Sequence, residues 1–343
     1  SGKNVIILIK AIIKLMDKLW LAVIALIIIG SGYYFFIQPS TSLTFTSPLT
    51  KDKPKPLDKY SFENLRSTQV ESSEIKVGDT ISDESGFMAR LFSYQFEGKT
   101  ITGQINTPKA KAPQDGYPVI LMLRGYIDPE GYQTGDGTRK AAAVYASNGF
   151  VTLAPDFLGY GGSDPADANT IAARITRPAE ALVLLKSLGS IPYDLSSKIY
   201  LWGHSNGGQI ALSVLEITGQ PIPTTLWAPV SKPFPYSILY YTDDYEDLGK
   251  EMRKVIAQFE QDYDVNLYSI HQYYDWIQAP IILHQGSADD AVPKTWSEEL
   301  VKTLKDLDKD ITYYTYPGTD HNLTSSWNTV VQRDLAFFRS KLQ

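Results

Sequence analysis

Six short apolar runs punctuate the chain: PVILMLRG (118–125), FVTLAPDF (150–157), KIYLWGH (198–204), TTLWAPV (224–230), PIILHQG (280–286) and ITYYTYPG (311–318). Most are continuous rather than alternating, which suits strands buried on both faces. Helical spacing of apolar positions appears between most of them, at 138–147, 171–188, 206–217, 294–308 and 325–341. Such alternation implies an α/β fold with a mainly parallel sheet and helices on both faces, because each parallel connection needs a crossover that then covers the sheet. Ahead of this rhythm, FMARLFSYQF and KTITGQINTP alternate partly, with EGK between them, and predict a hairpin.

One interval is too long for a plain crossover. Residues 231–279 carry many tyrosines and a helical pattern near 246–260, and are expected to fold over the carboxyl edge of the sheet as a lid insertion. Ligands gather at that edge in open parallel sheets.

The N-terminal pattern is different. Leu19 to Ile37 carries no charge over 19 residues, a helical rise of about 28 Å against a hydrocarbon core of about 30 Å. Lys10, Lys14 and Lys18 precede it on one helical face. Residues 1–37 therefore read as a basic amphipathic segment and transmembrane signal anchor, a membrane partner for the chain that leaves the domain after it outside the cytoplasm. Cleavage near Gly30-Ser31-Gly32, releasing a secreted domain, is the alternative; the aromatic run Tyr33 to Phe36 favours retention. Residues 38–59, rich in Ser, Thr, Pro and Lys, read as an extended linker, and 60–343 as the α/β domain.

Composition narrows the chemistry. The chain has 343 residues, 43% of them hydrophobic, and no cysteine, which excludes disulfides, cysteine-held metals and a thiol nucleophile. From residue 60 onward 24 Lys/Arg face 35 Asp/Glu, a net −11. Such a domain repels phosphate backbones, so nucleic acid is not an expected partner.

The segment LWGHSNGGQI closes one strand and opens a helix, and Gly203-His204-Ser205-Asn206-Gly207 fits G-x-S-x-G in the strand–turn–helix setting that motif needs. Gly203 and Gly207 permit a turn too tight for side chains, while Ser205 takes strained backbone angles to lift its hydroxyl into the crevice. An unassisted hydroxyl is a poor nucleophile and needs a base oriented by a carboxylate. Of four histidines, His204 is expected to point away from Ser205, His284 to sit in a strand as a core residue, and His271 to lie in the lid. His321, after the last strand, is the candidate base. HQGSADDAVP offers Asp289 and Asp290, of which one can point inward, and Asp320 competes from beside the base. The order Ser, Asp, His is that of the α/β-hydrolases.

Backbone N–H groups of Asn206, at the helix start, and Tyr126, after Gly125, are the expected oxyanion donors. In the lid, Tyr240 and Tyr241 are candidate pocket walls. Glu246, with Asp243, Asp244 and Asp247, is a candidate receiver of a substrate amine or, more simply, part of a solvated helix start. This chemistry requires no metal and no organic cofactor.

Taken together, DFLGYGGSD, GHSNGG, QGSADDAVP and YPGTDHN resemble the catalytic domain of the prolyl oligopeptidase family within the α/β-hydrolase superfamily, over roughly residues 85–343. The resemblance favours a serine peptidase, with Ser205 as nucleophile and His321 as base; a small peptide or ester is the expected substrate. The family pattern G-x-x-D-x-x-V-P falls on Gly286, Asp289, Val292 and Pro293, which selects Asp289 over Asp290. Relatives commonly have His-Gly where this chain has Arg124-Gly125. Fewer than ninety residues precede the region, so the family's propeller is not expected and substrate choice falls to the lid. An esterase of the same fold acting on acyl esters is the alternative, and a non-catalytic binding module is a third reading.

Overall fold

A computed structural model describes residues 54–68 and 70–342. The expected membrane anchor and residues 38–53 of the linker lie outside these residues; among the described residues no helix is long and apolar enough to cross a membrane. The compact unit starts at Lys55, five residues before the expected boundary. Leu57 is tied down there: its N–H donates to the Tyr263 hydroxyl and its carbonyl accepts from that of Tyr268.

Nine strands form one sheet in the order β1-β2-β3-β5-β4-β6-β7-β8-β9. The strands are β1 (Lys76–Asp83), β2 (Phe87–Phe96), β3 (Lys99–Pro108), β4 (Tyr117–Leu123), β5 (Val151–Pro155), β6 (Leu195–His204), β7 (Thr224–Trp227), β8 (Ile281–Gly286) and β9 (Ile311–Tyr316). β5, β4, β6, β7, β8 and β9 pair in parallel, and the β1–β2–β3 edge is antiparallel. β2 and β3 are the predicted hairpin. β1 went unpredicted because an edge strand with most side chains in solvent carries no apolar pattern.

The buried side chains of β4 alternate between two cores. Val119, Leu121 and Leu123 join one cluster with Leu201 and Leu226; Ile120 and Met122 join another with Trp202 and Trp227 on the opposite face. The first core is covered by α1 (Phe62–Ser67), α4 (Arg177–Ser187) and α5 (Asn206–Thr218), the second by α2 (Arg139–Ser147) and α9 (Trp327–Ser340). On α9 the buried Asp334 carboxylate accepts from Tyr145, Thr225, Trp227 and His284. His284 is thus the core histidine expected.

The stretch expected as a helix over 171–188 is two helices, α3 (Thr170–Ile175) and α4, breaking at Thr176. Pro178 explains the break: it lacks an N–H and its ring would clash with the carbonyl four residues back. The insertion at 231–279 is short helices and turns, with α6 (Tyr236–Leu239) and α7 (Lys250–Glu260). α7 begins four residues later than its apolar pattern because Asp247 accepts from the N–H groups of Gly249 and Glu251 and fixes the start. α8 (Lys294–Asp306) connects β8 to β9.

Candidate active site

Ser205 sits at the carboxyl end of β6, between strand and α5, with φ 56° and ψ −122°. A non-glycine residue reaches positive φ only when its surroundings impose it. They do: the Ser205 N–H donates to the Trp227 carbonyl (2.9 Å) and its own carbonyl accepts from Gly208 (3.0 Å) and Val230 (2.9 Å). The flanking glycines are a spatial necessity. A Cβ at Gly203 would lie 2.7 Å from the Gly207 carbonyl, and one at Gly207 only 1.9 Å from that of Leu123.

Two loops meet nearby. His321 Nδ1 donates to both Asp289 oxygens, at 3.0 and 2.9 Å. Asp289 Oδ1 also accepts from the amides of Ala291 and Val292, and Oδ2 from Gln285. Burial alone would raise the Asp289 carboxyl, but the His321 ring and these donors outweigh it and hold it below the usual carboxylate range. The loops touch through Gly286, where a Cβ would lie 2.2 Å from the Thr319 carbonyl. Asp290 is exposed. Asp320, the competing acid, caps its own turn through the Thr324 amide and hydroxyl.

His204, expected to point away from Ser205, backs the His321 loop. Its Nε2 donates to the His321 carbonyl (3.1 Å) and the two rings lie 4.7 Å apart. Burial, reinforced by His321, pushes its pKa down to about 4, so near neutral pH it stays uncharged behind the candidate base.

Facing Ser205 is the loop after β4. A Cβ at Gly125 would come within 2.9 Å of the serine Cβ, so only glycine lets this backbone approach so closely. Arg124, 1% exposed, donates to the Gly125 carbonyl (2.9 Å) and the Asp156 carbonyl (2.7 Å). Its guanidinium lies over the rings of Tyr132 and Tyr160. The Gly125 carbonyl and the Tyr126 N–H belong to one planar peptide, so fixing the first orients the second. Nothing in the residue types flagged this role for Arg124. The Tyr126 ring itself is 60% exposed.

In the insertion, Tyr240 and Tyr241 pack on Trp296 of α8, with ring centres 4.7 and 6.2 Å away. The acidic cluster has other partners: Asp243 pairs with Arg253 at 2.6 Å, Asp247 caps α7, and Glu246 is an exposed turn residue. Among the described residues no group of His, Cys, Asp and Glu has the makings of a metal site. Asn206 and Gln209 of α5 line a cavity of about 60 Å³ roofed by Phe234 and Ser237 of the insertion. A larger cleft of about 1060 Å³ is lined by His204 together with Trp202, Asn322 and Trp327.

Known proteins agree with this architecture. The chain is 27% identical over 259 residues to the uncharacterized peptidase YtmA of Bacillus subtilis (strain 168), covering 72% of this chain and 91% of that one. In fold it is similar to a puromycin-hydrolyzing peptidase of Mycobacterium tuberculosis, with TM-score 0.57, 17% identity and 76% of this chain covered. The chain spans only 40% of that peptidase's length. It is equally similar to an acetyl xylan esterase from Paenibacillus sp. R4, with TM-score 0.57, 16% identity, 79% of this chain and 92% of that one covered. The sequence model of the prolyl oligopeptidase family matches residues 137–343: this chain belongs to that family of α/β-hydrolases.

Proposed function

We propose that the protein is a serine peptidase that cleaves small peptides through an acyl-enzyme. In this reading Ser205 attacks the carbonyl, His321 takes the hydroxyl proton and returns it to the leaving amine, and Asp289 holds the imidazole in the tautomer that leaves Nε2 free. The oxyanion is met by the N–H groups of Asn206 and Tyr126, the second aimed by Arg124 through the shared peptide plane. The observation that carries the reading is the Asp289–His321 pair, with both carboxylate oxygens on Nδ1, docked by a hydrogen bond from His204 to the His321 carbonyl beside a serine held at positive φ. Family membership and the Bacillus relative favour amide over ester substrates.

An acyl esterase is the second reading, favoured by the likeness to the acetyl xylan esterase, which shares the fold at the same TM-score. Both reactions pass through the same intermediate, so leaving-group preference separates them. Fluorophosphonate labelling of Ser205 in native but not heat-denatured protein is the expected result, followed by cleavage of aminoacyl or peptidyl amides. Fast hydrolysis of short p-nitrophenyl esters without amide cleavage would replace the peptidase by the esterase, and absence of labelling would remove both.

A further inference from the structure

Nine arginines lie among the described residues, and seven donate hydrogen bonds there: Arg66, Arg90, Arg124, Arg139, Arg253, Arg333 and Arg339. Arg174 and Arg177 are the exceptions. Among the described residues neither meets a hydrogen-bond acceptor or a carboxylate in an ion pair. Both are partly buried, and both line the small cavity beside Asn206, the residue that follows Ser205. The helix break at Thr176 creates this arrangement, with Arg174 closing α3 and Arg177 opening α4, so both reach the same space.

Two partly buried guanidinium groups without an anion are unfavourable, whereas each of the other seven described arginines donates at least one hydrogen bond. The groups around Arg174 supply no negative charge: its strongest electrostatic neighbours are Arg177 and the phenols of Tyr245, Tyr160 and Tyr126. Arg177 lies 5.4 Å from the Phe157 ring and 5.3 Å from that of Tyr160. One carboxylate, Glu180, acts on Arg177 through space, but its oxygens accept from the Leu158 amide and the Thr176 hydroxyl. One positive charge is therefore left over, in a domain whose net charge is strongly negative.

We propose that Arg174 and Arg177 form a carboxylate-recognition subsite, which makes the substrate an acyl compound or peptide bearing an anionic group close to the scissile carbonyl. The proposal rests on the serine hydrolase reading and deepens it. A cavity of about 60 Å³ suits such a group, since one water needs about 10–15 Å³ of such space: there is room for a few heavy atoms and not for a chain segment. A fork of guanidinium donors is the side-chain geometry that matches a carboxylate. In the acidic cluster at 243–247, the candidate for binding a substrate amine, Asp243 pairs with Arg253 and Asp247 holds the start of α7, while Asp244 and Glu246 stand exposed. Selection by a negative group on the substrate is thus the charge preference the crevice is built for.

The carboxylate has two sources, an acidic side chain on the acyl side or a free α-carboxylate on the leaving side, and the test separates them. The full chain is assayed on coumarin amides and p-nitrophenyl esters carrying acyl-side Glu, Gln or Ala, and on short peptides with free or amidated carboxyl ends. The expected result is a preference of about tenfold or more in kcat/KM for the anionic member of one series over its neutral partner. Arg174→Gln and Arg177→Gln each collapse that ratio towards one, while Arg174→Lys keeps part of it. Equal rates for charged and neutral members in both series overturn the subsite while labelled Ser205 and neutral-substrate turnover leave the hydrolase standing. A preference that survives both Gln variants also overturns it. Failure of Ser205 to label at all removes the hydrolase reading, and the subsite falls with it.

Discussion

The turn around Ser205 and the insertion at 231–279 border one small cavity, yet they are held by different means. The turn is fixed by backbone: three main-chain hydrogen bonds at Ser205, and glycines whose neighbours leave no space for a single carbon. The insertion is fixed by side chains, with Tyr240 and Tyr241 against Trp296, and Phe234 against Phe259. Backbone constraints are intolerant, because a peptide cannot be trimmed or re-angled by choosing another residue. Aromatic packing degrades gradually. The difference fits the proposed division, with chemistry in the first region and selection in the second.

That assignment breaks in graded ways. Replacing Ser205 by Ala should lower kcat about a millionfold while denaturant midpoints stay near those of the parent; residual turnover within tenfold would detach the chemistry from the turn. Asp289→Asn should cost about ten-thousandfold in kcat, since an amide leaves the imidazole in the wrong tautomer; pre-steady-state acylation rates would show it. Gly207→Ala should destabilise the fold by more than about 4 kcal/mol, because its new methyl would stand 1.9 Å from the Leu123 carbonyl; urea unfolding measures this.

Behind the base, the low pKa of His204 makes the comparison pH-dependent. A buried histidine pushed down to about 4 binds fewer protons folded than unfolded, so stability is full above about pH 6.5 and is lost as pH falls towards 4, by about 3 kcal/mol in all. His204→Gln should flatten that part of the pH–stability curve. Smallest is Tyr240→Ala in the insertion: at 37% exposure the ring should cost about 1 kcal/mol of stability, raise KM and leave kcat within about twofold. A larger loss of kcat than of KM would blur the division between the two regions.

The same contrast explains what the chain disclosed in advance. Runs such as PVILMLRG and PIILHQG gave up the parallel strands because burial on both faces leaves a continuous apolar signature. Ser205 and His321 were singled out by glycine spacing and loop position, and Asp289 over Asp290 by the family pattern; the Asp289–His321 contact was thus legible in advance. Arg124 was not, because its work depends on a carbonyl one residue away and another at Asp156, a proximity no spacing encodes. Arg174 and Arg177 were hidden for a related reason: at helical spacing they look like surface cations, and what sets them apart is the lack of partners around them. β1 escaped notice for want of buried side chains.

The dihedral angles of Ser205 also act as a filter on descent. A branched side chain such as threonine would retain the hydroxyl yet resist the left-handed backbone that the elbow demands. Cysteine, unbranched and of similar size, meets no such barrier. The ancestry open to this position is therefore limited by torsion before reactivity is ever tried, and swapping in Ser205→Thr or Ser205→Cys would reveal which of the two exchanges the scaffold admits.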